Sequence, residues 1–208
     1  MRPGLIGSAT DPAPKVDRLS GSGPGAFVAR LRVCHGAGSR GVAIFPQSDG
    51  DLCQFADLAH HLADAGYRVA TFGPWSSPYD RPVAATYAAL TAAGAQRVVL
   101  LGASQGAALA LATAPALDPR PAGVVSLSAE STAGTFDALA GVAAYPGPVL
   151  LIGTENDMYA PGGVTRRMAE QHAGDEQVLL FPGGDHGIQL LPRTQEQIEA
   201  FVDRVLST

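Results

Sequence analysis

From about residue 26 onward, short apolar, β-branched runs recur near 27–33, 42–46, 67–72, 97–102, 122–128, 148–153 and 177–181, and each predicts a strand. Longer segments between them, Leu52 to Ala65, Pro82 to Ala93, Gln105 to Leu117, Gly163 to Ala173 and Thr194 to Leu206, predict helices. Strands that alternate with helices need long crossovers, so the pattern implies a mostly parallel, twisted sheet of about seven strands with helices on both faces. The first strand is expected to pair antiparallel at one edge. Residues 1–25 are rich in Gly, Pro and Ser and read as a flexible arm, leaving 26–208 as a single domain. The stretch Val98 to Leu117 is uncharged over about 20 residues, the length of a membrane span. Gly102, Ser104, Gln105, Gly106 and Pro115 interrupt it, so it divides into a buried strand and a buried helix.

With 208 residues, 46% hydrophobic and 16% charged, the chain suits one soluble domain with a sizeable core. Its net charge is −5 and its positive charges, apart from Lys15, are scattered arginines, which excludes a basic nucleic-acid groove. Two cysteines, Cys34 and Cys53, allow at most one bridge, and Met1-Arg2-Pro3-Gly4 is followed by no apolar run of signal-peptide length. These features suggest a cytoplasmic protein with free thiols and no membrane association. The five histidines are dispersed, with His35, His60, His61 and His172 read as surface residues. Asp49 and Asp51 lack a histidine partner, and no glycine-rich loop precedes a lysine, so neither a metal nor another cofactor is expected. Nothing in the sequence indicates an oligomeric state.

In a sheet of this kind ligands bind beyond the carboxyl ends of the strands, so the residues just after each strand carry the functional information. After 97–102 the chain reads Gly102-Ala103-Ser104-Gln105-Gly106, a serine between glycines at a strand-to-helix turn. Glycines two positions either side let strand and helix approach closely enough to push the serine hydroxyl into the open. After 148–153 come Gly153-Thr154-Glu155-Asn156-Asp157, and after 177–181 come Pro182-Gly183-Gly184-Asp185-His186-Gly187. A serine, an acid and a histidine therefore follow one another at successive functional ends. Asp157 is the expected acid, with Glu155 in the same loop and Glu130 at the end of the preceding strand as competitors. Asp185 adjoins the histidine and reads as a solvated loop acid.

On these residues the chain resembles an α/β-hydrolase over about 27 to 206, and within that superfamily the small bacterial hydrolases related to dienelactone hydrolase. Gly102-x-Ser104-x-Gly106 is similar to the nucleophile elbow, Asp157 with Pro161 to the acid turn, and His186-Gly187-Ile188-Gln189-Leu190-Leu191 to the histidine loop. The chain departs from the pattern in two places. Dienelactone hydrolase has a cysteine where this chain has Ser104, and many members have His-Gly where this chain has Pro46-Gln47 followed by Ser48. Relatives insert a lid domain in the segment corresponding to Glu130 to Pro148, which here has room for one short helix, so the expected site is open and lidless.

The chemistry requires each residue type for its own reason. A serine hydroxyl is a poor nucleophile near neutrality, so an imidazole, His186, must take its proton and return it to the leaving group. A carboxylate, Asp157, fixes the useful tautomer and stabilises the imidazolium. The N–H groups of Gln105 and Ser48 are placed by sequence position to receive the oxyanion. Gln47, Trp75, Tyr79, Met158 and Tyr159 follow strands and are candidates to line a pocket for the acyl or alcohol group. The implied activity is cleavage of a small ester, thioester or lactone through an acyl-enzyme on Ser104. An acyltransferase or cyclase using the same residues, or a non-catalytic small-molecule binder on the same fold, are the alternatives.

Overall fold

The computed structural model describes residues 15–20, 28–34, 38–48, 51–73 and 80–207. In chain order the elements are β1 (Lys15–Ser20), β2 (Val28–Cys34), β3 (Arg40–Phe45), α1 (Ala56–Asp64), β4 (Arg68–Gly73), α2 (Asp80–Ala92), β5 (Arg97–Ala103) and α3 (Gln105–Thr113). They continue with β6 (Gly123–Leu127), β7 (Thr132–Ala133), β8 (Phe136–Asp137), α4 (Ala138–Ala144), β9 (Val149–Thr154), α5 (Gly162–Gln171), β10 (Glu176–Phe181) and α6 (Leu191–Leu206). Eight strands form one sheet in the order β1-β2-β4-β3-β5-β6-β9-β10. From β4 to β10 neighbouring strands are parallel, whereas β2 pairs antiparallel with β4 and β1 antiparallel with β2.

Strand periodicity separates the core into two layers. Val42, Ile44, Val69, Val99, Leu101, Val125 and Ile152 point to one face, where Leu58 and Leu62 of α1 and Ile198, Phe201, Val202 and Val205 of α6 cover them. Ala43, Phe45, Ala70, Phe72, Leu100, Val124 and Leu151 point to the other, under α2, α3, α4 and α5. The membrane-length stretch is β5 followed by α3, and the run Gly106 to Leu111 is buried throughout. No helix among the described residues is long and apolar enough to cross a membrane.

Winding direction reverses at β3. The chain steps outward from β3 to β4 through α1 on one face, then back past β3 to β5 through α2 on the other. The carboxyl ends of β3 and β5 therefore flank the crevice where the crossovers part, the place where open α/β sheets bind ligands.

Two findings depart from the sequence expectations. Within the segment read as a flexible arm, Lys15–Ser20 forms edge strand β1, in register from Lys15 opposite Val33 to Ser20 opposite Val28. It brings the sheet to eight strands. A strand with Lys15, Asp17 and Arg18 carries no apolar run because an edge needs only backbone pairing and tolerates charge. The segment after β6 forms the short β7–β8 hairpin and then α4. This helix packs on α3 at Gly141, where a Cβ would come within 2.4 Å of the Leu111 carbonyl oxygen and the Ala112 Cα.

Candidate active site

Ser104 sits between β5 and α3 with φ 51° and ψ −120°, a conformation that costs a non-glycine residue free energy and persists only where surrounding contacts impose it. Its N–H donates to the Leu127 carbonyl at 2.8 Å and its own carbonyl accepts from Ala108 at 3.0 Å, which pins the turn at both ends. The flanking glycines are demanded by sterics. A Cβ on Gly102 would approach the Ala107 nitrogen to 2.5 Å, and one on Gly106 would lie 2.3 Å from the Phe45 carbonyl oxygen and 2.4 Å from that of Pro46. The end of β3 and Pro46 thus press against the first turn of α3.

Asp157 and His186 come together from separate loops. His186 Nδ1 lies 2.7 Å from Asp157 Oδ2, the carboxylate being fully buried and the imidazole 17% exposed. The other oxygen, Oδ1, accepts the N–H groups of Tyr159 at 2.8 Å and Ala160 at 3.1 Å. Burial alone would raise the Asp157 pKa, but the hydrogen bond from His186, the two amides and the imidazole charge outweigh it and hold the carboxyl below its ordinary value. Backbone bonds stitch the two loops, Glu155 N–H to the Phe181 carbonyl and Asn156 N–H to the Gly183 carbonyl, each at 2.9 Å. Thr154 Oγ1 adds a bond to the Asp185 carbonyl at 2.9 Å, and Gln189 Oε1 accepts the His186 N–H at 2.8 Å.

The competing acids have other partners. Glu155 forms an exposed ion pair with Arg166, and Asp185 pairs with Arg193 at 3.0 Å. Glu130 turns to the serine: Ser104 Oγ donates to its Oε1 at 3.2 Å, a long bond for a hydroxyl and carboxylate. The histidine loop covers the serine, since a Cβ on Gly187 would lie 3.7 Å from the Ser104 Cβ. Gly187 itself has φ 55°, and a side chain there would also meet Gln47 Oε1 at 2.7 Å.

The pocket candidates divide. Gln47 is half-buried and clamps two loops, its N–H donating to Gln54 Oε1 at 3.2 Å and its Oε1 accepting the Ile188 N–H at 3.4 Å. Tyr159 is exposed, with its ring centroid 5.0 Å from that of His186, and Met158 projects into solvent beside it. Ser48 is exposed at the end of β3. Trp75 and Tyr79 lie outside the described residues.

Gln47, expected to line a pocket, also ties the end of β3 to the histidine loop, and two positioning side chains escaped the sequence reading: Thr154 and Gln189. The last was signalled by His186-x-x-Gln189, the spacing with which a residue at N3 bonds back to the N-cap amide. His172 corrects an expectation, because it is buried, stacks on Tyr145 and places Nδ1 3.1 Å from the Val142 carbonyl. Cys53 is a free, exposed thiol, its N–H capped by Asp51 Oδ1 at 2.9 Å. Among the described residues no group of three or more His, Cys, Asp or Glu is arranged to hold a metal ion.

No protein-family model matches the chain, and no curated protein is detectably similar to it in sequence. Solved structures are similar in fold. The Pyrococcus furiosus esterase Pf2001 superposes with a TM-score of 0.76 at 13% identity, covering 99% of this chain and 95% of its own. A thermophilic esterase from Thermogutta terrifontis, in a malate-bound structure, gives 0.73 at 15% identity, with 91% and 99% covered. A predicted CIB-like hydrolase from Thermoplasma acidophilum gives 0.68 at 17%, with 94% and 100% covered. The chain has the α/β-hydrolase fold.

Proposed function

We propose that the protein is a serine hydrolase that cleaves a small carboxylic ester, thioester or lactone through an acyl-enzyme on Ser104, with His186 as base and Asp157 as its orienting acid. The observation that carries this reading is the 2.7 Å contact between Asp157 Oδ2 and His186 Nδ1, in a loop whose next residue, Gly187, packs against a serine held at φ 51°. With the Nδ1 proton donated to Asp157, the lone pair of the neutral imidazole resides on Nε2. Ser104 gives up its long bond to Glu130, passes its proton to Nε2 and bonds to the substrate carbonyl carbon. Negative charge moves onto the carbonyl oxygen, where the N–H groups of Gln105 and Ser48 receive it, helped by the amino end of α3. The tetrahedral species collapses, His186 returns the proton to the departing alcohol or thiol, and the acyl group stays on Ser104. Water repeats the sequence with His186 as base and releases the acid.

The esterase and lipase names of the structural neighbours favour an ester among the possible substrates. Incubation with a fluorophosphonate probe, followed by mass spectrometry, tests the nucleophile. The expected adduct is on the peptide containing Ser104, with parallel turnover of short-chain p-nitrophenyl esters. Absence of both adduct and turnover would refute the reading.

A further inference from the structure

Glu130 is the acid that the histidine does not use. The chain leaves β6 through Ser128, buried and at φ 49°, a second non-glycine residue with positive φ one strand away from Ser104. That turn carries the half-buried Glu130 back to the nucleophile, where its Oε1 lies 3.2 Å from Ser104 Oγ. Every other acid of this region is compensated: Asp157 by His186 and two amides, Glu155 by Arg166, Asp185 by Arg193. Glu130 forms no ion pair among the described residues.

Its place limits what it can face during acyl transfer. Once Oγ bonds to the carbonyl carbon, all three substituents of that carbon are two bonds from Oγ, so a group in hydrogen-bond contact with Oγ also borders a substituent. The leaving group must face His186 to receive its proton. The oxyanion must face the amides at the β3 and α3 side, and a carboxylate beside it would oppose the charge that develops there. The acyl chain is the substituent left for Glu130, on the β6 flank of the serine.

We propose that Glu130 selects the acyl group, favouring esters whose acyl chain carries an ammonium one or two carbons from the scissile carbonyl and rejecting chains with a carboxylate at that place. The selection rests on the hydrolase reading above. An ammonium replaces the serine proton as the donor to Glu130 and gains a charge-assisted hydrogen bond in a partly desolvated site. A carboxylate meets the like charge of Glu130, which has no ion-pair partner among the described residues. One such bond corresponds to a preference of about ten- to a hundredfold in kcat/KM.

The test compares ethyl 3-aminopropanoate, ethyl butanoate and ethyl hydrogen succinate, which share a leaving group and differ in acyl charge, with the wild-type protein and with Glu130→Gln and Glu130→Lys. The wild-type order is expected to be amino, neutral, anionic, with the first ratio shrinking as salt is added. Glu130→Gln is expected to bring the amino-to-neutral ratio close to one, and Glu130→Lys to invert the order. An unchanged order in both variants, or a wild-type protein indifferent to acyl charge, overturns the assignment while the hydrolase reading stands. Failure of the wild-type protein to turn over any ester or to react with a fluorophosphonate overturns both.

Discussion

Asp157 holds His186 with one carboxylate oxygen and is held by its own loop through the other. Oδ2 lies 2.7 Å from His186 Nδ1, while Oδ1 accepts the amides of Tyr159 and Ala160. The carboxylate therefore has one orientation, and the imidazole inherits it.

Replacing Asp157 by Asn keeps the shape of that junction but presents an amide that stabilises the wrong tautomer. The expected loss in kcat is about 10² to 10⁴, against about tenfold or less for Glu155→Gln, whose partner is Arg166. Steady-state kinetics on a p-nitrophenyl ester compares the two directly, and equal losses would remove Asp157 from its role.

The same carboxylate has a pH signature. Its folded pKa lies below the ordinary value, so its contribution to stability is full above the unfolded pKa and disappears as pH falls through the folded one. Asp157→Asn is therefore expected to flatten the acid end of a plot of unfolding free energy against pH. Denaturation curves of the two proteins measured over the same pH series check this statement.

Ser104→Ala and Ser104→Gly are both expected to lose about 10⁴ to 10⁶ in kcat with the fold intact. They differ in stability, since at φ 51° glycine is unstrained and alanine is not. Urea denaturation should find the glycine variant more stable than the alanine variant by about 1 kcal/mol. A Ser104→Ala protein with more than a tenth of wild-type activity would exclude this serine as nucleophile.

Glycines provide a steric test of the turn. Gly106→Ala forces a methyl group to within 2.3 Å of the Phe45 carbonyl oxygen and is expected to cost about 3 kcal/mol along with the activity. Gly163→Ala, on the exposed first turn of α5 with nothing within 4 Å, is expected to be neutral or to stabilise by about 0.4–1 kcal/mol. Thermal melts of the two variants should move in opposite directions or at least differ by several degrees.

The sequence by itself determined the alternation of strands and helices, the strand-turn-helix around Ser104 and the order of serine, acid and histidine, because each is local: apolar periodicity, glycine sterics and position after a strand are properties of a few neighbouring residues. Edge strand β1 was hidden because backbone pairing at a sheet edge leaves no apolar pattern in Lys15–Ser20. Which acid meets the histidine was a question only the tertiary structure decided. Asp157, Glu155, Glu130 and Asp185 all follow strands, and their roles separate through contacts with His186, Arg166, Ser104 and Arg193, which lie between 8 and 29 residues away in the chain. The Asp157–His186 and Glu130–Ser104 distances close only when β9 and β10 pair and β6 comes to lie beside β5, so the carboxylate on the imidazole and the one beside the serine are consequences of sheet order.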